Sequence, residues 1–389
     1  MVDAPPTSGR LAQVLDAIAG GERPVELVGA KGGYAGMLLG EMGRATDRPL
    51  IIVTPDEVRA RTLQMALSMS VGATGPLDPC PGLWPLDHSP FSGMSPSRTL
   101  VMERVATLFR LVHGLEVRAM VIPAVALLDR VAPRAVWARN ERTLRRGDRL
   151  DRDDLLGFLA AAGYHPMSTA EDPGTFALRG GIIDIFCPLY SSPIRIDLWG
   201  DEIESLRAFD PGDQRTLPNG KREEVVLSPA REVLLDDAAV SRARTQLYGL
   251  GDDLQVPSSR IRALVDDLES GVLGVGTEEL LPAFYETLST PMDLAPEGAL
   301  WIVEEPDRVA AALEARWEDA KERSEKRRAT PGQMAFEAGA LFSDAEAVSE
   351  ALSERADCHL VPFAASDSEA AVSVRFDVAD HRETRRAIE

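Results

Sequence analysis

The spacing of apolar residues changes along this chain, and the first 125 residues alternate between helical and strand spacing. Leu11, Leu15 and Ile18 recur at helical intervals, which predicts an amphipathic helix. Residues 25–28 are predicted as a short strand that leads into a glycine-rich turn, and the apolar run at residues 50–53 is typical of a buried strand. Strands that alternate with helices in this way indicate a parallel sheet covered by helices.

The same alternation continues through further helices and a third strand. Residues 34–44 have helical spacing, and residues 54–57 combine a hydroxyl, a proline and two acidic side chains. Thr54 would then cap a helix whose first turn carries the proline and the acids. Another helix is predicted over residues 95–111, and a strand over residues 119–122.

The pattern changes between about residues 134 and 216, where one helix precedes a meander of short strands. The helix is predicted over residues 151–162 from its leucine spacing. Residues 182–187 and 194–199 are rich in β-branched and aromatic side chains, and the turn between them begins and ends with proline. We interpret this region as an α+β domain inserted into the chain.

The predicted strand over residues 194–199 has two different faces, because successive side chains in a strand point in opposite directions. The apolar face carries Ile194, Ile196 and Leu198, and the opposite face carries Arg195, Asp197 and Trp199. Arginine and tryptophan are among the residue types most enriched at the energetic centres of protein interfaces. The outward face of this strand is therefore a candidate docking surface.

After residue 216 the signals become mixed. Residues 217–220, Leu-Pro-Asn-Gly, are typical of a turn. A further strand is predicted over residues 300–303, and a long charged helix over residues 308–328. Beyond about residue 366 the sequence is polar and poorly patterned, which favours a linker or the start of another domain.

Composition is that of an ordinary globular protein. A chain of 389 residues accommodates about two or three domains, and its 44% hydrophobic share permits a sizeable core. The formal net charge of −20 argues against a mainly electrostatic grip on nucleic acid, which needs clustered Lys and Arg. The N-terminus has no signal-peptide pattern, and no apolar run reaches ~18 residues. We therefore expect a soluble, cytoplasmic protein that contacts no membrane.

The cysteines support neither a disulfide framework nor a metal site. Cys80, Cys187 and Cys358 are far apart and odd in number, which suits a reducing compartment. His359 follows Cys358, but two neighbouring ligands are too few for zinc. No metal site is predicted.

The glycine-rich turn after the first predicted strand has the position of a P-loop without its chemistry. A working loop, GxxxxGK[ST], uses its lysine on the phosphates and its hydroxyl on Mg²⁺. When the motif is aligned on Gly29 and Gly32, Ala35 stands at the lysine position and Gly36 at the hydroxyl position. We therefore predict a degenerate loop that hydrolyses no ATP. A shifted register that uses Lys31 stays open.

An acidic run follows the predicted strand at residues 300–303. In an ATP-driven motor, an Asp-Glu pair at such a place holds Mg²⁺ and a water. Here Glu304, Glu305 and Asp307 surround Pro306. Acidic residues are also common at a helix N-terminus, where they face the positive end of the helix dipole, and this interpretation explains the run well.

A long ordered motif runs from residue 176 to residue 216. It consists of Arg179-Gly180, Ile182-Ile183, Asp184, Ile185-Phe186, Arg195-Ile196-Asp197, Trp199, Asp201 to Arg207, Phe209-Asp210 and Gln214 to Thr216. In this order the residues resemble the second domain of the bacterial transcription-repair coupling factor (Mfd) family, which is related to the damage-loading protein UvrB. The likeness in layout extends over nearly the whole chain and is weakest at both ends.

The resemblance implies an α/β fold in which a degenerate P-loop domain of the RecA/helicase type is interrupted by an inserted α+β domain, as in UvrB. On that basis residues 1–130 begin the first domain and residues 131–217 form the inserted, UvrA-binding type of domain. Residues 218–365 then complete the first domain. Residues 366–389 are expected to be a linker or the truncated start of a further domain.

The resemblance also implies a non-catalytic role in nucleotide-excision repair, with UvrA as the partner. It places the family's UvrA-contacting residues at Arg179, Arg195 and Trp199, the last of which is often phenylalanine in the family. The two arginines would pair with carboxylates and the aromatic ring would fill a pocket. In full-length members RNA polymerase, double-stranded DNA, ATP and Mg²⁺ are bound by domains outside this sequence, so no cofactor is expected here.

Alternatives remain open at this stage. The alternating first domain is compatible with a small ATPase or a nucleotide-binding switch, although Ala35 and Gly36 oppose it. The chain could also be an autoinhibitory module that restrains a motor. For the docking surface, the simpler interpretation is that Arg195 pairs with Asp197 or with a neighbouring strand and that Trp199 covers the domain edge.

Overall fold

The computed structural model describes residues 6–72, 77–88, 90–271, 277–363, 370 and 372–376. Its first part alternates helices and strands, as the apolar spacing predicts. The elements are α1 (Pro6–Ala19), β1 (Val25–Val28), α2 (Gly32–Thr46), β2 (Leu50–Thr54), α3 (Glu57–Val71), α4 (Arg98–His113), β3 (Ala119–Pro123) and a 3₁₀ turn (Ala124–Leu127).

The second part is the predicted helix and strand meander. Its elements are α5 (Arg134–Arg139), β4 (Arg142–Arg145), α6 (Arg152–Ala161), β5 (His165–Pro166), β6 (Thr175–Arg179), β7 (Ile182–Phe186), β8 (Ile194–Trp199), β9 (Glu202–Phe209), β10 (Thr216–Arg222) and β11 (Glu224–Leu227). Asp151 caps α6 by accepting hydrogen bonds from the backbone N–H groups of residues 153 and 154, which explains why the helix begins there.

The third part is mostly helical and contributes three strands. Its elements are α7 (Asp237–Asp253), α8 (Ser258–Glu269), a 3₁₀ turn (Thr277–Leu280), α9 (Leu281–Phe284), α10 (Pro291–Leu294), β12 (Leu300–Glu304), α11 (Pro306–Arg328), α12 (Ala338–Leu341), α13 (Ala345–Arg355), β13 (Ala356–Val361) and β14 (Val372–Arg375). Among the residues described, no helix is both long and apolar enough to cross a bilayer.

The first and third parts build one six-stranded parallel sheet in the order β14-β1-β13-β12-β2-β3. The predicted α/β class with a parallel sheet is confirmed. Val28 pairs with Val361, and Glu304 pairs with Leu360, so β1, β13 and β12 end at the same edge. In open α/β sheets the edge at the carboxyl ends of the strands is where ligands bind.

The inserted part builds a second six-stranded sheet in the order β10-β9-β8-β7-β6-β5, which is antiparallel except between β5 and β6. Ile183, Ile196 and Leu206 are cross-strand partners and are buried. They share one apolar core with Leu155 and Leu159 of α6. The apolar face of β8 therefore packs inward and its polar face points outward, as predicted.

Two predicted helix starts are wrong by two residues. Asp56, and not Thr54, caps α3 by accepting a hydrogen bond from the Arg59 N–H at 2.8 Å. Thr54 is instead the last residue of β2, where it pairs with Pro123. Similarly, Ser97 caps α4. In both places the helix begins two residues after the first capping signal, at a second side chain that can accept from the helix N-terminus.

The predicted turn at residues 217–220 is wrong, because these residues lie inside β10. The turn-forming sequence appears there as an irregularity: Asn219 has a positive φ of 57°, and the register with β9 shifts between Thr216 and Lys221. An edge strand can absorb such a bulge. The second sheet therefore continues to Arg222, beyond the predicted end of the inserted domain at residue 217.

The segment after residue 366, predicted as a linker or as the start of a further domain, contributes a strand to the first sheet. Residues 372–375 form β14, which pairs in parallel with β1. Its short sequence has little pattern of its own, and pairing with β1 supplies the backbone hydrogen bonds that make it a strand. Residues 366–369, 371 and 377–389 lie outside the described residues.

Candidate functional site

The outward face of the second sheet carries charged side chains in register. Ala177, Asp184, Arg195 and Arg207 are successive cross-strand partners from β6 to β9. Directly opposite residues in antiparallel strands share a face and lie within contact distance. This row therefore brings one carboxylate and two guanidinium groups together.

Arg195 makes a bidentate ion pair with Asp184 on β7. Its Nε and Nη2 donate to the two carboxylate oxygens at 2.7 and 2.8 Å, and Nη2 also donates to the Gln214 Oε1 at 2.9 Å. The guanidinium lies over the Phe209 ring at 4.4 Å. Hydrogen bonding to Asp184 raises the pKa of Arg195. The Arg195 side chain is 17% exposed and that of Asp184 is 1% exposed, so this pair belongs to the sheet itself.

Asp197 has a separate partner. It accepts a hydrogen bond from the Arg207 Nη2 at 2.5 Å and another from the Ser205 hydroxyl. Of the two pairings considered for Arg195, the one with a neighbouring strand is therefore observed and the one with Asp197 is not. The outward face is a surface of paired charges.

Arg179 and Trp199 lie together at one end of the sheet. Each is the last residue of its strand and is followed by a glycine with positive φ, 61° at Gly180 and 62° at Gly200. The two hairpin tips are adjacent, because the Leu198 N–H donates to the Gly181 carbonyl at 2.8 Å. Arg195 stands back from this end by roughly 13 Å along β8, at about 3.3 Å per residue.

The two residues at this end are accessible. Trp199 is 80% exposed, the most exposed aromatic ring among the described residues. Arg179 is also exposed, and its Nη2 donates to the Ser168 carbonyl at 2.9 Å. A large exposed aromatic residue at a rigid hairpin tip is a suitable anchor for a protein partner. The register places Arg179 level with Asp197, midway along β8 between Arg195 and Trp199, so the three predicted residues lie along the same end of the outward face.

The degenerate loop lies at the carboxyl edge of the parallel sheet. Gly29 and Gly32 have positive φ values of 88° and 55°, and α2 begins directly at Gly32. Ala35 is fully buried in the core beside this sheet. A Cβ added at Gly36 would lie 2.4 Å from the Ala66 Cβ. The lysine and hydroxyl positions of the aligned motif are therefore occupied by helix packing between α2 and α3.

A cleft of about 270 Å³ lies beside this loop, lined by Lys31, Arg59, Glu304, Glu305 and residues 360–362 among others. Arg59 on α3 pairs with Glu304 at the end of β12 through Nη2 and Oε1. Its pKa is raised chiefly by this hydrogen bond. The Lys31 Nζ lies 4.3 Å above the Phe363 ring. Glu304 thus has a cation as its partner, which the helix-terminus interpretation did not identify.

Arg59 is absent from the sequence-based candidates. The usable signal was Glu304, because a carboxylate at the end of a fully buried strand requires a cation nearby. The choice of Arg59 from many arginines depends on how α3 packs. All three cysteines are buried and free. Within the described ranges, no three potential metal ligands are gathered in one place.

The comparisons with known proteins match the inserted domain and, in the relatives, most of the length of the chain. The family model of the UvrB interaction domain matches residues 143–233. The chain is 38% identical over 79% of its length to a transcription-repair-coupling factor of Myxococcus xanthus, covering 26% of that protein. Its identity to those of Haemophilus influenzae and Escherichia coli is 28% over 77% and 69% of the chain, covering 25% and 22% of them.

The chain therefore spans about a quarter of the length of these relatives. The matched segment contains β4 to β11, and with them the outward sheet face and the hairpin tips. It also extends beyond Arg222, where the second sheet ends. The chain therefore contains a UvrB interaction domain at residues 143–233, and over 79% of its length it is a homologue of a transcription-repair-coupling factor.

Proposed function

We propose that this chain recruits UvrA in transcription-coupled nucleotide-excision repair, through the hairpin-tip end of the inserted sheet. The observation that carries the proposal is the exposed Trp199, held at the end of a strand within the UvrB interaction domain. Tryptophan is enriched at protein interfaces, because burial of its large ring contributes strongly to association.

In this proposal the three residues have different roles. Trp199 inserts into an apolar pocket of UvrA, and Arg179 beside it pairs with a carboxylate of the partner. Arg195 contributes mainly by position, since Asp184 and Gln214 already occupy most of its N–H donors. It holds β7, β8 and the segment around Gln214 in one arrangement, so that the tip presents a fixed shape.

We further propose that the chain is non-catalytic and needs no cofactor of its own. The support is local: Ala35 is buried, and Gly36 has no room for a side chain. In full-length proteins of this family, RNA polymerase, double-stranded DNA, ATP and Mg²⁺ are assigned to other domains. ATP·Mg²⁺ added to the purified chain should produce no phosphate release, and measurable turnover would contradict this part.

The recruitment itself is tested by titrating purified UvrA into the chain and measuring the heat of binding. Alanine at Arg179, Arg195 and Trp199 together should abolish detectable binding, while the melting temperature confirms that the variant is folded. Met69→Ala is the matched control, because Met69 is an equally exposed apolar residue on α3, outside the inserted domain. Unchanged affinity in the folded triple variant would end the assignment.

A further inference from the structure

The cleft beside the degenerate loop has donors that make no hydrogen bond within the part of the chain that the structure describes. The first N–H groups of an α-helix have no partner inside the helix, and α2 begins at this cleft. Lys31 is the N-cap residue of α2, and its side chain makes no hydrogen bond to the helix. The Arg59 Nε is buried and has no hydrogen-bond partner. A helix N-terminus, an ammonium group and a guanidinium N–H together attract an anion.

The same cleft contains one acceptor that is unused. The Glu304 side chain is 4% exposed, and its Oε2 has no hydrogen-bond partner among the described residues, although its Oε1 is paired with Arg59. Buried polar atoms in native proteins almost always have a partner. An orphaned carboxylate oxygen beside orphaned donors is therefore unexpected, unless a ligand supplies both kinds of group.

A ligand that fits this set accepts several hydrogen bonds and donates one. We propose that the cleft binds a protonated phosphate group, either inorganic hydrogen phosphate or a phosphate monoester in its monoprotonated form. The phosphate oxygens accept from Arg59, from Lys31 and from the start of α2. The single P–O–H donates to the Glu304 Oε2.

The arrangement selects against two related ligands. Sulfate at neutral pH carries no proton, so it would place an oxygen against the Glu304 carboxylate with no hydrogen bond between them. A triphosphate with Mg²⁺ requires a hydroxyl and a free carboxylate for the metal. Gly36 supplies no hydroxyl, and Arg59 already neutralises Glu304. The cleft therefore does not support ATPase activity. It lies at the parallel sheet and is separate from the proposed UvrA surface on the inserted sheet.

The test uses the whole chain and the ³¹P resonance of inorganic phosphate at pH 7.5 and constant ionic strength. Binding should broaden the phosphate signal, and the broadening should reach a plateau as the protein concentration rises. An equal concentration of sulfate should not reduce it. Glycerol 3-phosphate distinguishes the two phosphate sources. Because the second pKa of a phosphate monoester is about 6, it should compete at pH 5.5 and lose most of that competition at pH 7.5.

Variants assign the effect to the cleft. Lys31→Ala and Arg59→Ala should each weaken phosphate binding at least tenfold, and Glu304→Gln should let sulfate compete, because an amide can donate to it. Arg61→Ala is the control, since Arg61 lies on α3 two residues away and stacks on Trp84 instead. The proposal is wrong if wild type gives no broadening, if equimolar sulfate abolishes it, or if Lys31→Ala binds phosphate as wild type does.

Discussion

Two arginine–carboxylate pairs, one in each sheet, differ in how completely they are satisfied. In the inserted sheet Arg195 engages both oxygens of Asp184 and also reaches Gln214. At the edge of the parallel sheet, Arg59 engages one oxygen of Glu304 and leaves its own Nε without a partner. The first pair is closed on itself, whereas the second faces a cleft.

This difference indicates two roles: one network supports a surface, and the other lines a binding cleft. A fully satisfied buried network is rigid and holds one arrangement of the strands around it, whereas a partly satisfied one leaves polar atoms that a ligand can complete. We therefore interpret the Arg195 network as support for the Trp199 tip. The Arg59 network is interpreted as half of a binding site. Substitutions in each network test this contrast.

Removing the carboxylate from the closed pair should have the largest effect. Asp184→Ala leaves the Arg195 guanidinium largely buried and unpaired, and the free energy of unfolding should fall by about 3 kcal/mol. Urea denaturation measures this. Glu304→Ala should lower it by less, because the Arg59 side chain is 30% exposed and can be hydrated. An equal or larger loss for Glu304→Ala would break the contrast.

Removing the exposed ring should affect binding and leave folding unchanged. Trp199→Ala should weaken UvrA binding by about 2 kcal/mol or more, roughly 30-fold in Kd, if the ring is an interface anchor. Calorimetric titration measures the affinity. Because Trp199 is 80% exposed, the melting temperature should stay within error of wild type. A drop in melting temperature with no loss of affinity would instead assign the ring to the domain edge.

Restoring a hydroxyl to the loop should damage packing and create no metal site. Gly36→Ser places a Cβ only 2.4 Å from the Ala66 Cβ, so α2 and α3 must separate, and the free energy of unfolding should fall by about 1.5 kcal/mol. Thermal denaturation with and without ATP·Mg²⁺ measures both aspects. Gly33→Ala is the control, since nothing lies within 4 Å of a Cβ at Gly33. A rise in melting temperature with ATP·Mg²⁺ in the serine variant would contradict this view of the loop.

The smallest effect should come from a substitution that keeps the positive charge of Arg195 but removes its planar guanidinium group. Arg195→Lys cannot bond both oxygens of Asp184, so unfolding free energy and UvrA affinity should fall together by about 1 kcal/mol each. Paired urea and titration experiments measure the two changes. Full loss of UvrA affinity at unchanged stability would show that Arg195 contacts the partner directly.

Local sequence signals predicted most elements and failed where tertiary pairing overrides them. The buried strands β1, β2, β3 and β12 follow from short apolar runs, since such segments have few alternatives to a sheet interior. The 217–220 segment has turn chemistry, yet its backbone pairs with β9. Strand β14 carries almost no pattern and forms because β1 offers it an edge.

The candidate residues divide in the same way. The outward direction of Arg195 and Trp199 follows from the two-residue period of a strand, and their proposed role rests on the resemblance of the ordered motif around them. The loss of the P-loop lysine and hydroxyl at Ala35 and Gly36 is likewise visible in the amino acids alone. These features are local, and the sequence by itself determined them.

The ion-pair partners of these arginines depend on the tertiary structure. The pairing of Arg195 with Asp184, and of Arg59 with Glu304, joins residues that are 11 and 245 positions apart. An arginine can reach a carboxylate on any segment that packs beside it, and the sequence does not state which segments those are. Sheet register and helix packing supply that information, and with it the closed network in one sheet and the open cleft in the other.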